Sequence, residues 1–250
     1  MSQLANKRIL ITGGARGLGH AFAQSVAAAG ASVVIADILQ ERGEQSAAEF
    51  KAQGLNVDFV QVDLADPESI KHCAEQANQL MGGLDGLVNN AAIATGIGGK
   101  TLDEIEIATW DKVMAVNVRG TWLMTQAAAP FLKQKGGGIV NIASDTALWG
   151  APRLMHYVAS KGAVIAMSRS MARELGEFNI SVNTIAPGLT LVEATEYVPA
   201  ARHRLYVEGR AIQREQQPED ITGAVVFLLS DAARFITGQL IPVNGGFVLN

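Results

Sequence analysis

Tyr157 and Lys161 stand four residues apart in Tyr157-Val-Ala-Ser-Lys161, a spacing that sets a phenol and an ammonium on one face of a helix. The composition running on toward Gly176 is helical, so that face is predicted to exist. A nearby cation favours phenolate and lowers the tyrosine pKa, which would let Tyr157 exchange a proton with an alcohol near neutral pH. Such a pair is common on surface helices and gains meaning only from its companions. Ser144 ends an apolar run upstream of Tyr157 and offers a hydroxyl to a substrate oxygen. Asn117 shares an apolar helical stripe with Val113 and Met124, either as a satisfied core amide or as a buried link through water to Lys161.

A second set of residues suits a nucleotide. Ile9-Leu-Ile-Thr12 runs directly into Gly13-Gly-Ala-Arg16-Gly17-Leu18-Gly19 and then into helical composition. In a strand, glycine turn, helix sequence, a pyrophosphate can approach bare backbone and meet the N–H donors of the helix start. Asp37 closes the second strand about 20 residues further on, where an acid accepts ribose hydroxyls and repels a 2′-phosphate. Arg16, inside the turn, would suit that phosphate. Asp37 outweighs it, so the expected cofactor is NAD rather than NADP. Asp63-Leu64 and Asn89-Asn90-Ala91-Ala92 follow the third and fourth strands, where loops at the carboxyl ends of parallel strands gather around a ligand.

The elements that must position these groups are legible as short β-branched runs. They fall at Arg8–Thr12, Ser32–Ala36, Val57–Val62, Gly86–Asn89, Gly138–Ala143, Ile180–Ile185 and Gln239–Val243, mostly separated by helical segments. Runs that are apolar almost throughout predict strands covered on both faces. The fold expected is α/β: a Rossmann-like doubly wound parallel sheet of about seven strands with helices on both faces. No linker or repeat divides the 250 residues, so 1–250 reads as one domain. Residues 190–214 have no clear place in the sheet and read as a partly helical insertion covering the site.

Composition narrows the partners. A net charge of -4 gives no general attraction for a phosphate backbone, which argues against nucleic acid. The start of the chain lacks signal-peptide character, and the uncharged stretch Gly17 to Ala36 is broken by Gly30, so no membrane span and a cytoplasmic setting are expected. Cys73, the only cysteine, reads as a small apolar filler. No metal is expected, since His156 has no companion at ligand spacing. Substrate-facing candidates are the Ile93–Lys100 loop, Asp145 to Arg153 and His156. Trp149 would either stack on a ring or pack. Arg202, Arg204 and Arg210 would either meet an anionic substrate or occupy solvated faces.

Taken together, Thr12-Gly-x3-Gly17-x-Gly19, Asn89-Asn-Ala, Asn117, Ser144, Tyr157-x3-Lys161 and Pro187-Gly188 make the chain similar to the short-chain dehydrogenase/reductase family over its whole length. That resemblance implies Tyr157 as general acid/base, Ser144 orienting the substrate oxygen, and Lys161 lowering the tyrosine pKa while holding the nicotinamide ribose. It implies Asn117 in a water-linked proton path, Asn90 at the cofactor ribose, Asp63 and Leu64 at the adenine, and Pro187, Gly188, Leu189 and Thr190 at the carboxamide. It implies a homotetramer. The function expected is NAD-dependent hydride transfer to or from a secondary, cyclic or aromatic alcohol or its carbonyl product. The alternatives are an NADPH-dependent 3-oxoacyl thioester reductase and a catalytically idle dinucleotide-binding regulator. The chain departs from the pattern at Ala92, usually glycine, and at Asn244, usually aspartate before Gly245-Gly246.

Overall fold

The computed structural model describes residues 2–249. In β1 (Arg8–Thr12), Ile9 and Ile11 enter one core cluster while Leu10 enters another. Because both faces are covered, the interior positions Ile9, Leu10 and Ile11 are all apolar, and the strand reads as a run rather than an alternation. With β2 (Ser32–Asp37), β3 (Val57–Gln61), β4 (Gly86–Asn89), β5 (Gly137–Ile142), β6 (Ile180–Pro187) and β7 (Leu240–Val243) it forms one sheet. The order is β3-β2-β1-β4-β5-β6-β7, with every neighbouring pair parallel. This is the doubly wound sheet anticipated, with boundaries within two residues of the predicted runs.

Helices α1 (Gly17–Ala28), α2 (Gln40–Ala52) and α9 (Glu219–Leu229) cover one face through Phe22, Val26, Phe50, Val225 and Leu228. Helices α3 (Pro67–Met81), α5 (Thr121–Leu132) and α7 (Met155–Leu175) cover the other through Ile70, Met124, Leu132 and Leu175. Cys73 packs in that second core, where burial pushes its thiol up to about 12. The winding direction reverses between β1 and β4, and at such a switch point a crevice opens outside the carboxyl ends of the strands.

Two local features go beyond the periodicity. The helix α4 (Ile107–Met114) widens into a π-helical turn at Ala115–Gly120 before α5 begins, and Asn117 sits in that turn. Segment 190–214 holds a 3₁₀ turn at Glu193–Thr195 and the helix α8 (Ala200–Gly209), and Thr190 pairs with Gln216 as an isolated bridge. Among the described residues no helix is long and apolar enough to cross a membrane.

Candidate active site

A cleft of about 980 Å³ lies at the carboxyl ends of the strands, running from the glycine turn to Leu154 and Tyr206. At its first end, Gly13 has φ +68°, and a Cβ there would stand 2.8 Å from the Ala91 Cα. A Cβ at Gly19 would overlap the Gly13 carbonyl oxygen. Only glycine satisfies either constraint. Arg16 occupies the N-cap of α1 without a side-chain hydrogen bond to the first turn, so the donors and positive dipole end of the helix remain uncapped beside the cleft. Those features fit a pyrophosphate.

Asp37 lines the same cleft. Its Oδ2 accepts the Ala15 N–H and its Oδ1 the Leu39 N–H, each at 3.1 Å. An ionised carboxylate has about four lone-pair sites, so two remain for hydroxyls. Arg16, Gly17, Leu18, Asp63, Leu64, Asn90, Ala91, Pro187, Gly188, Leu189 and Thr190 also line it. The Asn90 amide donates to the Thr12 and Gly13 carbonyls at 3.0 and 3.2 Å and braces the turn from within the cleft wall. Asp63 Oδ1 accepts the Ala65 N–H at 2.8 Å.

At the other end, Ser144 follows β5 just before the short helix α6 (Thr146–Trp149), and α7 delivers Tyr157 and Lys161. The Thr146 hydroxyl and N–H donate to Ser144 Oγ at 2.9 and 3.3 Å, leaving the Ser144 hydrogen to point at the Tyr157 oxygen. Lys161 Nζ donates to the Ile142 carbonyl at 2.8 Å and lies 5.6 Å from the Tyr157 ring centroid. Burial pushes the Tyr157 phenol up to about 12, against the Ser144 hydrogen bond and with the Asp145 charge. Burial alone pushes the Lys161 ammonium down to about 8. The expected lowering of the tyrosine is thus reversed: desolvation is the largest effect on it, and only the Ser144 hydrogen bond acts against it. At pH 7 the pair holds a phenol and an ammonium.

Asn117 is a satisfied core amide. Its Oδ1 accepts the Ile93 N–H at 2.7 Å, and its Nδ2 donates to the Ile93 carbonyl and to Ser160 Oγ, both at 3.1 Å. It pins the loop after β4 to α7, beside the Lys161 backbone.

Several other candidates occupy different places. Trp149 packs: its indole N–H donates to the Tyr206 oxygen at 3.2 Å, and it meets Tyr206 and Phe247 edge-on. Arg210 is buried, donating to the Asn244, Leu189 and Arg214 carbonyls and to Gln216 Oε1, so it staples the insertion and meets neither substrate nor solvent. Arg204 is exposed. His156 is fully buried with neither ring nitrogen partnered, and it forms no part of the cleft wall. The Asn244 departure has a local reason. Its Nδ2 donates at 3.4 Å to Asp145, a buried carboxyl pushed up to about 6 by desolvation, and a second carboxylate there would add repulsion.

Four residues in stretches the sequence marks only as substrate-facing, Asp145 to Arg153 and 190–214, take specific roles at or behind the site. Asp145 accepts the Tyr206 hydroxyl at 2.8 Å, Thr146 orients Ser144, and the Tyr197 hydroxyl spans the cleft to the Ala94 carbonyl at 3.1 Å. Thr146 stands two residues from Ser144 and was within reach of a local argument. The tyrosines carry no local signal.

Comparison with known proteins agrees with this geometry. A family model described as enoyl-(acyl carrier protein) reductase matches residues 13–248. The chain is 35% identical to a 3-oxoacyl-(acyl-carrier-protein) reductase of Thermotoga maritima, covering 99% of this chain and 100% of that one. It is 34% identical to the cyclopentanol dehydrogenase of Comamonas testosteroni, with both chains covered fully. Among solved structures, a gluconate 5-dehydrogenase from Burkholderia cenocepacia, in complex with NADP and tartrate, superposes with a TM-score of 0.91 at 32% identity, covering 98% of this chain and 96% of that one.

Proposed function

This chain belongs to the short-chain dehydrogenase/reductase family, oxidoreductases that act on alcohol and ketone groups with a nicotinamide cofactor, and from that premise we propose an NAD-dependent dehydrogenase of secondary alcohols, cyclic or aromatic ones included. The observation that carries this reading is the convergence of Ser144, Tyr157 and Lys161 at one end of a cleft whose other end is the glycine turn and Asp37. When bound, the nicotinamide supplies the hydride acceptor in oxidation and the donor in reduction. In oxidation the alcohol carbon loses its hydride while its hydroxyl proton passes to the Tyr157 oxygen, which must first have lost its own proton to act as phenolate. Ser144 holds the substrate oxygen, and Lys161 stabilises negative charge on the phenol while holding the cofactor ribose. Asp37 meets the adenosine ribose, and segment 190–214 covers the substrate through Val192, Tyr197, Val198 and Tyr206.

A screen of cyclic, aromatic and aliphatic secondary alcohols with NAD and NADP in parallel tests this. Turnover with NAD supports it. Turnover confined to NADPH and 3-oxoacyl thioesters would establish the second reading, which the exposed Arg16 in the cleft favours.

The pH dependence has a definite sign. Because the phenol stays protonated across the neutral range, oxidation needs a proton acceptor that alkali makes available, whereas reduction needs the proton already present. Oxidation kcat/KM is expected to rise with pH up to about 8 and then level as Lys161 loses its charge, while reduction holds steady or falls. Oxidation that declined over that range would contradict the assignment.

The assembly inferred is a homotetramer in the cytoplasm. Trp122, 49% exposed on α5, and the fully exposed Phe235 are apolar surface that partners would cover. Sedimentation at micromolar concentration showing only monomer would exclude it.

A further inference from the structure

Helix α8 carries Arg202 and Tyr206 four residues apart, hence on one face, and both line the cleft with Leu154 and Tyr157. Arg202 is held in place. Its Nη2 donates to the Pro152 carbonyl at 3.2 Å, and the guanidinium lies 5.7 Å from the Trp149 ring centroid, over a ring itself anchored on Tyr206. Among the described residues, none of the ion pairs includes Arg202. A guanidinium presents five N–H donors in one plane, and the Pro152 bond uses only part of that fork.

The surrounding charge is one-sided. The cleft that Arg202 lines is also lined by the apolar Ala94, Ile97, Leu154 and Val198. Asp145 lies behind that wall, bonded to Tyr206 and Asn244 and absent from the lining. Glu193 reaches the other end, where its Oε2 would be 3.7 Å from a Cβ on Gly17. The chemical end therefore presents cations, Arg202 and Lys161, and no carboxylate of its own.

Resting on the hydride-transfer reading above, we propose that the substrate is an anion, a hydroxy acid oxidised to its keto acid, whose carboxylate is taken by Arg202 while its hydroxyl meets Ser144 and Tyr157. An apolar skeleton joins the two along Leu154 and Val198. Oxidation of the secondary alcohol removes one hydride from carbon and one proton from oxygen and leaves the carboxylate unchanged. Sulfonates share the recognition chemistry, since guanidinium forks pair with planar or tetrahedral oxyanions alike.

The test compares kcat/KM for matched pairs on one skeleton: 3-hydroxybutyrate against its methyl ester, and 3-hydroxycyclohexanecarboxylate against its methyl ester, with 2-hydroxypropanesulfonate as the sulfonate arm. The wild type is expected to favour the anion by at least about tenfold, the scale of a charge-assisted hydrogen bond. Arg202→Gln is expected to collapse that ratio, and Arg202→Lys to retain most of it. A sulfonate preferred over both carboxylates would identify the oxyanion and keep the proposal in its shared chemistry. Equal kcat/KM for anion and ester in the wild type, or a ratio that survives in Arg202→Gln, would overturn it while leaving the dehydrogenase reading intact. The wild-type ratio needs no variant to fold. Absence of turnover with every alcohol, anionic and neutral alike, would overturn the dehydrogenase reading and this proposal with it.

Discussion

Replacing Tyr157 with phenylalanine is expected to lower kcat at least about 10³-fold in both directions, the middle of the 10²–10⁴ range for a positioned acid/base. The substitution removes one oxygen and keeps the ring against the Lys161 ammonium, 5.6 Å from its centroid. The proton exchanged with the substrate then has no group to receive it. Lys161 is already a protonated ammonium donating to the Ile142 carbonyl, and Ser144 is a weakly basic hydroxyl that accepts from Thr146. About 10³-fold corresponds to roughly 4 kcal/mol of transition-state stabilisation. Steady-state rates with saturating cofactor read the loss, and a thermal melt run alongside separates lost chemistry from lost fold. A phenylalanine variant within tenfold of the wild type would remove Tyr157 from the mechanism.

Replacing Asp37 with serine is expected to move the ratio of kcat/KM for NADP over NAD at least about 100-fold toward NADP. The Asp37 carboxylate is fixed by two backbone N–H groups at the cleft wall. Like charges about 4 Å apart repel by roughly 4 kcal/mol per pair at an effective dielectric near 20. Solvent at the cleft mouth reduces that, and about 2.7 kcal/mol suffices for a hundredfold change. Once the acid is gone, the exposed Arg16 is available to a 2′-phosphate. The same change costs stability, since the Ala15 and Leu39 N–H groups lose a charged acceptor, at about 1–3 kcal/mol. Parallel kinetics with both cofactors decide it. A wild type that already prefers NADP would assign the cofactor choice to Arg16.

What the amino-acid sequence determined by itself was local or repetitive. Most of the strands are legible because the interior of a strand covered on both faces must be apolar, as Ile9-Leu10-Ile11 of β1 shows. The glycine turn is legible because positive φ at Gly13 and close approach at Gly19 exclude any side chain. Tyr157 and Lys161 are legible as a pair because helical spacing alone sets them on one face. Tertiary structure decided the rest, wherever the partner was remote or the effect summed over many neighbours. Tyr206 reaches Asp145 across 61 residues and Asn244 reaches it across 99, so neither contact leaves a trace in local spacing. The sequence leaves Trp149 between stacking on a ring and packing, and Arg210 between a substrate anion and a solvated face; contacts with distant segments make the first a packing residue and the second a staple. The direction of the Tyr157 shift belongs with these. Spacing reveals the nearby cation, whereas the desolvation that raises the phenol comes from all the chain folded around it.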